Sequence, residues 1–126
     1  MIVADIDMKR DMDLIRAMLL AIEAHPSGYA PSIEIPDYTQ DQIGYHAYLL
    51  GEAGLAVIND VTTLGAESPQ ARVVRLTWAG HEFLDLAREN KRWNIAKDKV
   101  AKVGSVSIQI LSTVLSEIAK KELGYS

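Results

Sequence analysis

Thr39-Gln40-Asp41-Gln42-Ile43-Gly44-Tyr45-His46-Ala47-Tyr48-Leu49-Leu50-Gly51-Glu52-Ala53-Gly54-Leu55 carries a helix from its start signal to its stop and then hands the chain to a strand. The Thr39 hydroxyl is placed to accept from the Gln42 backbone, and the Gln42 side chain to reach back, which is a capping box. Ile43, Ala47 and Leu50 recur at helical spacing and form the inward stripe. Gly54 supplies the left-handed residue that closes the helix. Beyond it the apolar period falls to about two, so Leu55–Val61 reads as a strand and Arg72–Leu76 as its antiparallel partner. The intervening Thr62–Ala71 contains Gly65 and Pro69 and is too long for a tight hairpin turn.

Working outward, Met8, Met12, Ile15, Leu19 and Ile22 keep the helical period, and Leu14, Met18 and Ala21 widen that face. Asp7 or Asp11 can cap this first helix, and His25-Pro26 ends it. Pro31 and Pro36 bracket Ser32–Ile35, which is long enough for a short edge strand only. Downstream, Thr77 caps a helix with Phe83, Leu84, Leu86 and Ala87 inward; it continues to Val100 or breaks near Asn90 or Asn94. Gly104-Ser105 then marks a boundary before a last helix, roughly Ser105–Leu123, with Val106, Ile110 and Val114 on one ridge and Leu111, Leu115 and Ile118 on another. The expected fold is α+β and mainly helical: helix, short strand, helix, two-stranded wing, helix, plus a C-terminal amphipathic helix. Residues 1–7 read as a disordered leader, 8–103 as the domain, and 104–126 as a helix that packs on the core or dimerises.

A chain of 126 residues, 48% hydrophobic and 24% charged, fits one globular domain. It has no cysteine, which removes disulfides, thiolate metal sites and thiol nucleophiles. No apolar run approaches the roughly 18 residues of a membrane span, and Asp5 and Asp7 stand where a secretory signal needs a basic region. A cytoplasmic protein is expected. The net charge of −4 hides an asymmetry: Ala17–Ala71 holds seven acids and no Lys or Arg. Arg88–Lys102 instead holds six basic residues against Glu89 and Asp98.

Two patterns carry a family resemblance. The segment Ile43–Leu55 resembles the recognition helix and following strand of bacterial winged-helix regulators, and Leu76-Thr77-x-x-Gly80-x-x-Phe83-Leu84 resembles their step from strand to helix after the wing. Together with Met8-Lys9-Arg10-Asp11-Met12-Asp13-Leu14-Ile15-Arg16, these stretches are similar to an uncharacterised bacterial and phage-borne family of winged-helix type, the domain of unknown function DUF2513. The resemblance implies a phage- or prophage-associated setting and brings no activity, cofactor or catalytic residue. The chain departs from DNA-binding winged helices in two ways. Pro26, Gly28, Pro31 and Pro36 occupy the place of a positioning helix, and the recognition-like helix lacks cations.

Phosphate contacts by Lys and Arg dominate nucleic-acid affinity, yet the outward face of the Thr39–Ala53 helix is Asp41, Tyr45, Tyr48 and Glu52. It is either an ordinary solvated face or a protein-binding one anchored by Tyr45 and Tyr48 beside Glu52. Leu111, Leu115 and Ile118 are the corresponding candidates on the last helix, for a homodimer or another protein partner. For DNA, the candidates are Gln40 and Gln42 as base readers, Arg72 and Arg75 on the wing, and Lys91 and Arg92 in the basic stretch, with Trp93 as stacking residue or core. His25, His46 and His81 form no metal-ligand spacing; His46 is expected to donate to a backbone carbonyl. Asp5, Asp7, Asp11 and Asp13 match helix capping and dipole compensation. No phosphate loop or nucleophile elbow occurs. The sequence therefore leads to a non-enzymatic interaction module with no cofactor, metal or small-molecule substrate, binding a protein or, alternatively, regulating transcription as a DNA-binding dimer.

Overall fold

The computed structural model describes residues 8–104 and 107–124. The leader assigned to residues 1–7, and Ser105 and Val106 at the start of the last helix, lie outside the described residues. Among the described residues, five helices and a two-stranded antiparallel sheet make an α+β fold. The chain forms two compact units that divide at Gly80/His81.

In the first unit, α1 (Met12–Glu23) starts one turn later than the apolar stripe from Met8 suggests. Asp11 is extended (φ −116°, ψ 108°), and its Oδ1 accepts the Leu14 N–H at 3.1 Å. This cap ends the helix before Met8 can join it. Leu14, Met18 and Leu19 are fully buried, each contributing about 1.5–3 kcal/mol of burial free energy. The chain from His25 to Tyr38 contains no helix. The edge strand expected at Ser32–Ile35 does not form: the backbone bond to the sheet is made just upstream of it, from the Ala30 N–H to the Val74 carbonyl at 2.9 Å. Pro31 has no donor to extend the pairing.

Helix α2 (Gln40–Glu52) opens on the expected capping box, with Gln42 N–H on Thr39 Oγ1 at 3.1 Å and Thr39 N–H on Gln42 Oε1 at 2.9 Å. Gly54 ends it at φ 75°. Strands β1 (Ala56–Asp60) and β2 (Ala71–Leu76) pair antiparallel, with Val57 opposite Arg75 but Ile58 opposite Val73. Val74 is therefore an extra residue, a β-bulge. The bulge resets the alternation of β2. Ala71, Val73 and Leu76 are all buried, whereas Arg72 and Arg75, three apart, are both exposed.

The step from sheet to helix α3 (Trp78–Ala87) is a hydrogen-bonded joint to the end of α2. Thr77 N–H donates to the Leu55 carbonyl at 3.0 Å, and its hydroxyl donates to the Gly54 carbonyl at 2.6 Å while accepting the Gly80 N–H at 3.0 Å. Gly80 is required here because a Cβ would fall on the Leu55 carbonyl oxygen. The Leu-Thr-x-x-Gly motif thus has a structural reading: it locks the end of one helix to the start of another.

In the second unit, α3 ends at Ala87 and α4 (Asn90–Ala101) begins after a break at the place the sequence left open. The carboxylate of Glu89 makes the break by accepting the Arg92 N–H as an N-cap. Trp93 is 2% exposed and meets Phe83 edge-on at a centroid distance of 6.4 Å. Helix α5 (Ile108–Glu122), capped by Ser107, packs against α4.

Candidate functional site

Helix α2 is where local sequence and surface chemistry meet. His46, on its inward side, is 1% exposed. Its Nδ1 lies 2.8 Å from the Gln42 carbonyl, and its Nε2 accepts the Asp11 N–H at 2.9 Å. A carbonyl only accepts and an amide only donates, so the ring is the neutral tautomer protonated on Nδ1. The Asp11 carboxylate caps α1 through Oδ1 and accepts the Tyr38 hydroxyl on Oδ2 at 2.7 Å. One residue thereby ties the start of α1 to α2 and to the loop before it, across the stretch that holds no helix.

That hydrogen bond, followed by burial and the Asp11 charge, pushes the Tyr38 phenol up to about 12 from 10.0. The folded state holds the Tyr38 proton more tightly than the unfolded chain does. The stabilisation is therefore complete below pH 10 and disappears as pH rises through about 12. In urea melts across this range, wild type should lose its advantage over Tyr38→Phe as pH rises. A constant difference between the two would show that Tyr38 does not titrate against Asp11.

The outward side of α2 carries exposed Asp41 and Glu52, with Tyr45 and Tyr48 half-buried between them. Gly44 and Gly51 let the same helix approach the hairpin closely, since a Cβ would meet the Gln70 side chain at Gly44 and Ile58 at Gly51. Beside α2 an open groove of about 590 Å³ runs between residues 30–33 and β2. Ile43, Gly44 and Ala47 line it from the helix, and Ala71, Arg72 and Val73 from the strand. Gln70 closes its end, with its Nε2 donating to the Asp41 carbonyl at 3.0 Å.

Several residues proposed for DNA contact are committed elsewhere. Gln42 is held by its own capping box, and Gln40 Nε2 donates to the Ile33 carbonyl at 3.3 Å. Arg92 is a staple: Nη2 pairs with Glu122 at 2.7 Å, Nη1 donates to the Leu86 carbonyl at 3.2 Å, and its side chain is 17% exposed. This pairing raises the Arg92 pKa and lowers that of Glu122. Trp93 is core, not a stacking platform. Arg72, Arg75 and Lys91 remain exposed, with Arg75 Nη1 reaching the Leu76 carbonyl at 3.1 Å. On α5, Leu111 and Leu115 are 0% exposed, which corrects their assignment to an interface: they are already packed. Ile118 is half-buried.

The family model described as "Hypothetical protein (DUF2513)" matches residues 9–107. An "Uncharacterized protein" of Haemophilus influenzae (strain ATCC 51907 / DSM 11121 / KW20 / Rd) is 35% identical over 120 residues, covering 88% of this chain and 98% of that protein. The chain belongs to the DUF2513 family. No solved structure matches it.

In this DUF2513 chain the matched region contains α1, α2, the hairpin, α3 and α4. Two features of the DUF2513 surface escape the sequence patterns. Trp78 is 80% exposed at the first turn of α3, directly after the Thr77 cap, where a side chain points away from the joint. Asp11 is legible as a cap, but its links to Tyr38 and His46 span 27 and 35 residues and leave no local signal. Among the described residues no three His, Asp or Glu side chains converge to hold a metal ion. No helix among them is long and apolar enough to cross a membrane.

Proposed function

We propose that this chain is a non-enzymatic, winged-helix-like interaction module whose partner is a protein. The order of elements supports the winged-helix reading: α1, an extended segment, α2, a hairpin with a ten-residue loop (61–70) and α3. The observation that carries the protein reading is the outward side of α2. Asp41 and Glu52 would repel a phosphate backbone, both glutamines are bound within the fold, and two tyrosines stand between the acids. Half-buried tyrosines offer rigid amphipathic area at little entropic cost, which suits a protein interface. Self-association through α5 keeps Ile110, which is exposed, and half-buried Ile118, but not Leu111 or Leu115.

DNA binding stays in view as a second reading because the bulge at Val74 turns Arg72 and Arg75 to one exposed face of the hairpin. The two readings separate in a salt titration of fluorescence anisotropy with labelled duplex. Affinity that rests on phosphate contacts falls steeply between about 50 and 200 mM salt. The protein reading expects no such binding. Steep salt dependence that is lost in Arg72→Ala/Arg75→Ala would establish the DNA reading instead.

A further inference from the structure

Among the described residues the sheet has two strands, so β2 has a second edge there. Val61 N–H donates to the Gln70 carbonyl at 2.9 Å, which fixes the phase of the antiparallel ladder. Bonded pairs alternate along it, so Arg72 turns its backbone groups toward β1 while Ala71 and Val73 turn theirs to the other edge. That edge opens on the groove beside α2. Residues 30–33 stand across it without forming a strand: Pro31 lacks an N–H, and the Ile33 carbonyl accepts from Gln40. Among the described residues, the only bond bridging the gap is Ala30 to Val74. A strand edge with unpaired donors and acceptors is a template for another chain.

We propose that this edge binds an extended peptide of the partner protein, added to β2 as a third strand, with lysine or arginine alternating with small or branched apolar residues. The inference rests on the protein-binding reading above and names its site and ligand class. Backbone pairing with Ala71 and Val73 supplies affinity, and pockets for alternate side chains supply selectivity. The helix side is shallow and apolar, with Ile43, Gly44 and Ala47, and accepts one face of such a strand. The charge comes from Asp41 on the lining and from exposed Glu34, which follows the lining residue Ile33. Arg72 is the sole cation among the lining residues, and Ala17–Ala71 contributes no other. A basic strand is therefore favoured over an acidic one.

Two end-capped octapeptides, alternating Val-Lys and alternating Val-Glu, test this on the full chain by amide hydrogen exchange read by NMR. Val-Lys should slow exchange at Ala71 and Val73, Val-Glu should leave them unchanged, and Asp41→Asn should weaken Val-Lys binding about tenfold, or 1.4 kcal/mol. A Val-Lys peptide N-methylated on its pairing edge should lose the protection. No binding of Val-Lys, equal protection by both peptides, or protection that survives N-methylation overturns strand addition. None of those results touches the protein-binding reading, which fails separately if the duplex titration above shows salt-dependent affinity.

Discussion

Gly80→Ala should destabilise the protein by roughly 3 kcal/mol, the upper end of the overpacking range, read as a lower urea midpoint at unchanged slope. Alanine is ordinarily the better helix former by about 1 kcal/mol, so a helix propensity argument gives the opposite sign. Geometry decides against it. The added Cβ would fall on the Leu55 carbonyl oxygen, which is backbone already held by the Thr77 N–H, so nothing can swing aside. Gly44 provides the internal comparison. There a Cβ meets the Gln70 side chain, which can rotate, and Gly44→Ala should cost less. A Gly80→Ala protein as stable as wild type would refute the joint as described.

His46→Leu should cost about 1–3 kcal/mol, because it strands the Asp11 N–H beside a 1%-exposed position, whereas the Gln42 carbonyl keeps its helical partner within α2. Each buried group left without a partner costs about 1–3 kcal/mol. Leucine matches the apolar surroundings and approximate size, so the loss isolates hydrogen bonding from packing. The defect should also loosen the start of α1, visible as faster amide exchange at Leu14 and Ile15, whose N–H groups bond to Asp11. Unchanged stability in His46→Leu would mean that the Asp11–His46 link is dispensable.

Features set by neighbours in the chain were legible in the sequence. The Thr39/Gln42 box, the Gly54 stop and the helix–strand switch all follow from residues a few positions apart. Arg72-Val73-Val74-Arg75-Leu76 held an unread signal. Both arginines and all the apolar residues can take opposite faces only if one valine is extra, and the structure makes Val74 that residue. The missing strand at Ser32–Ile35 was harder to see, because the Ile33 carbonyl takes its partner, Gln40, from seven residues further on. The fate of Arg92 was illegible for the same reason: Glu122, its partner, is 30 residues away. Counting cations in Arg88–Lys102 therefore overstated the charge available to a ligand.

What α2 touches in the cell is the central question. A photo-crosslinking residue at position 48, expressed in the native host and activated in cells, reports it directly. A discrete adduct that resists nuclease and is destroyed by protease is expected, weakened when Tyr45 or Glu52 is changed to alanine. An adduct that nuclease removes, or no adduct at all at this position, would contradict protein binding through α2.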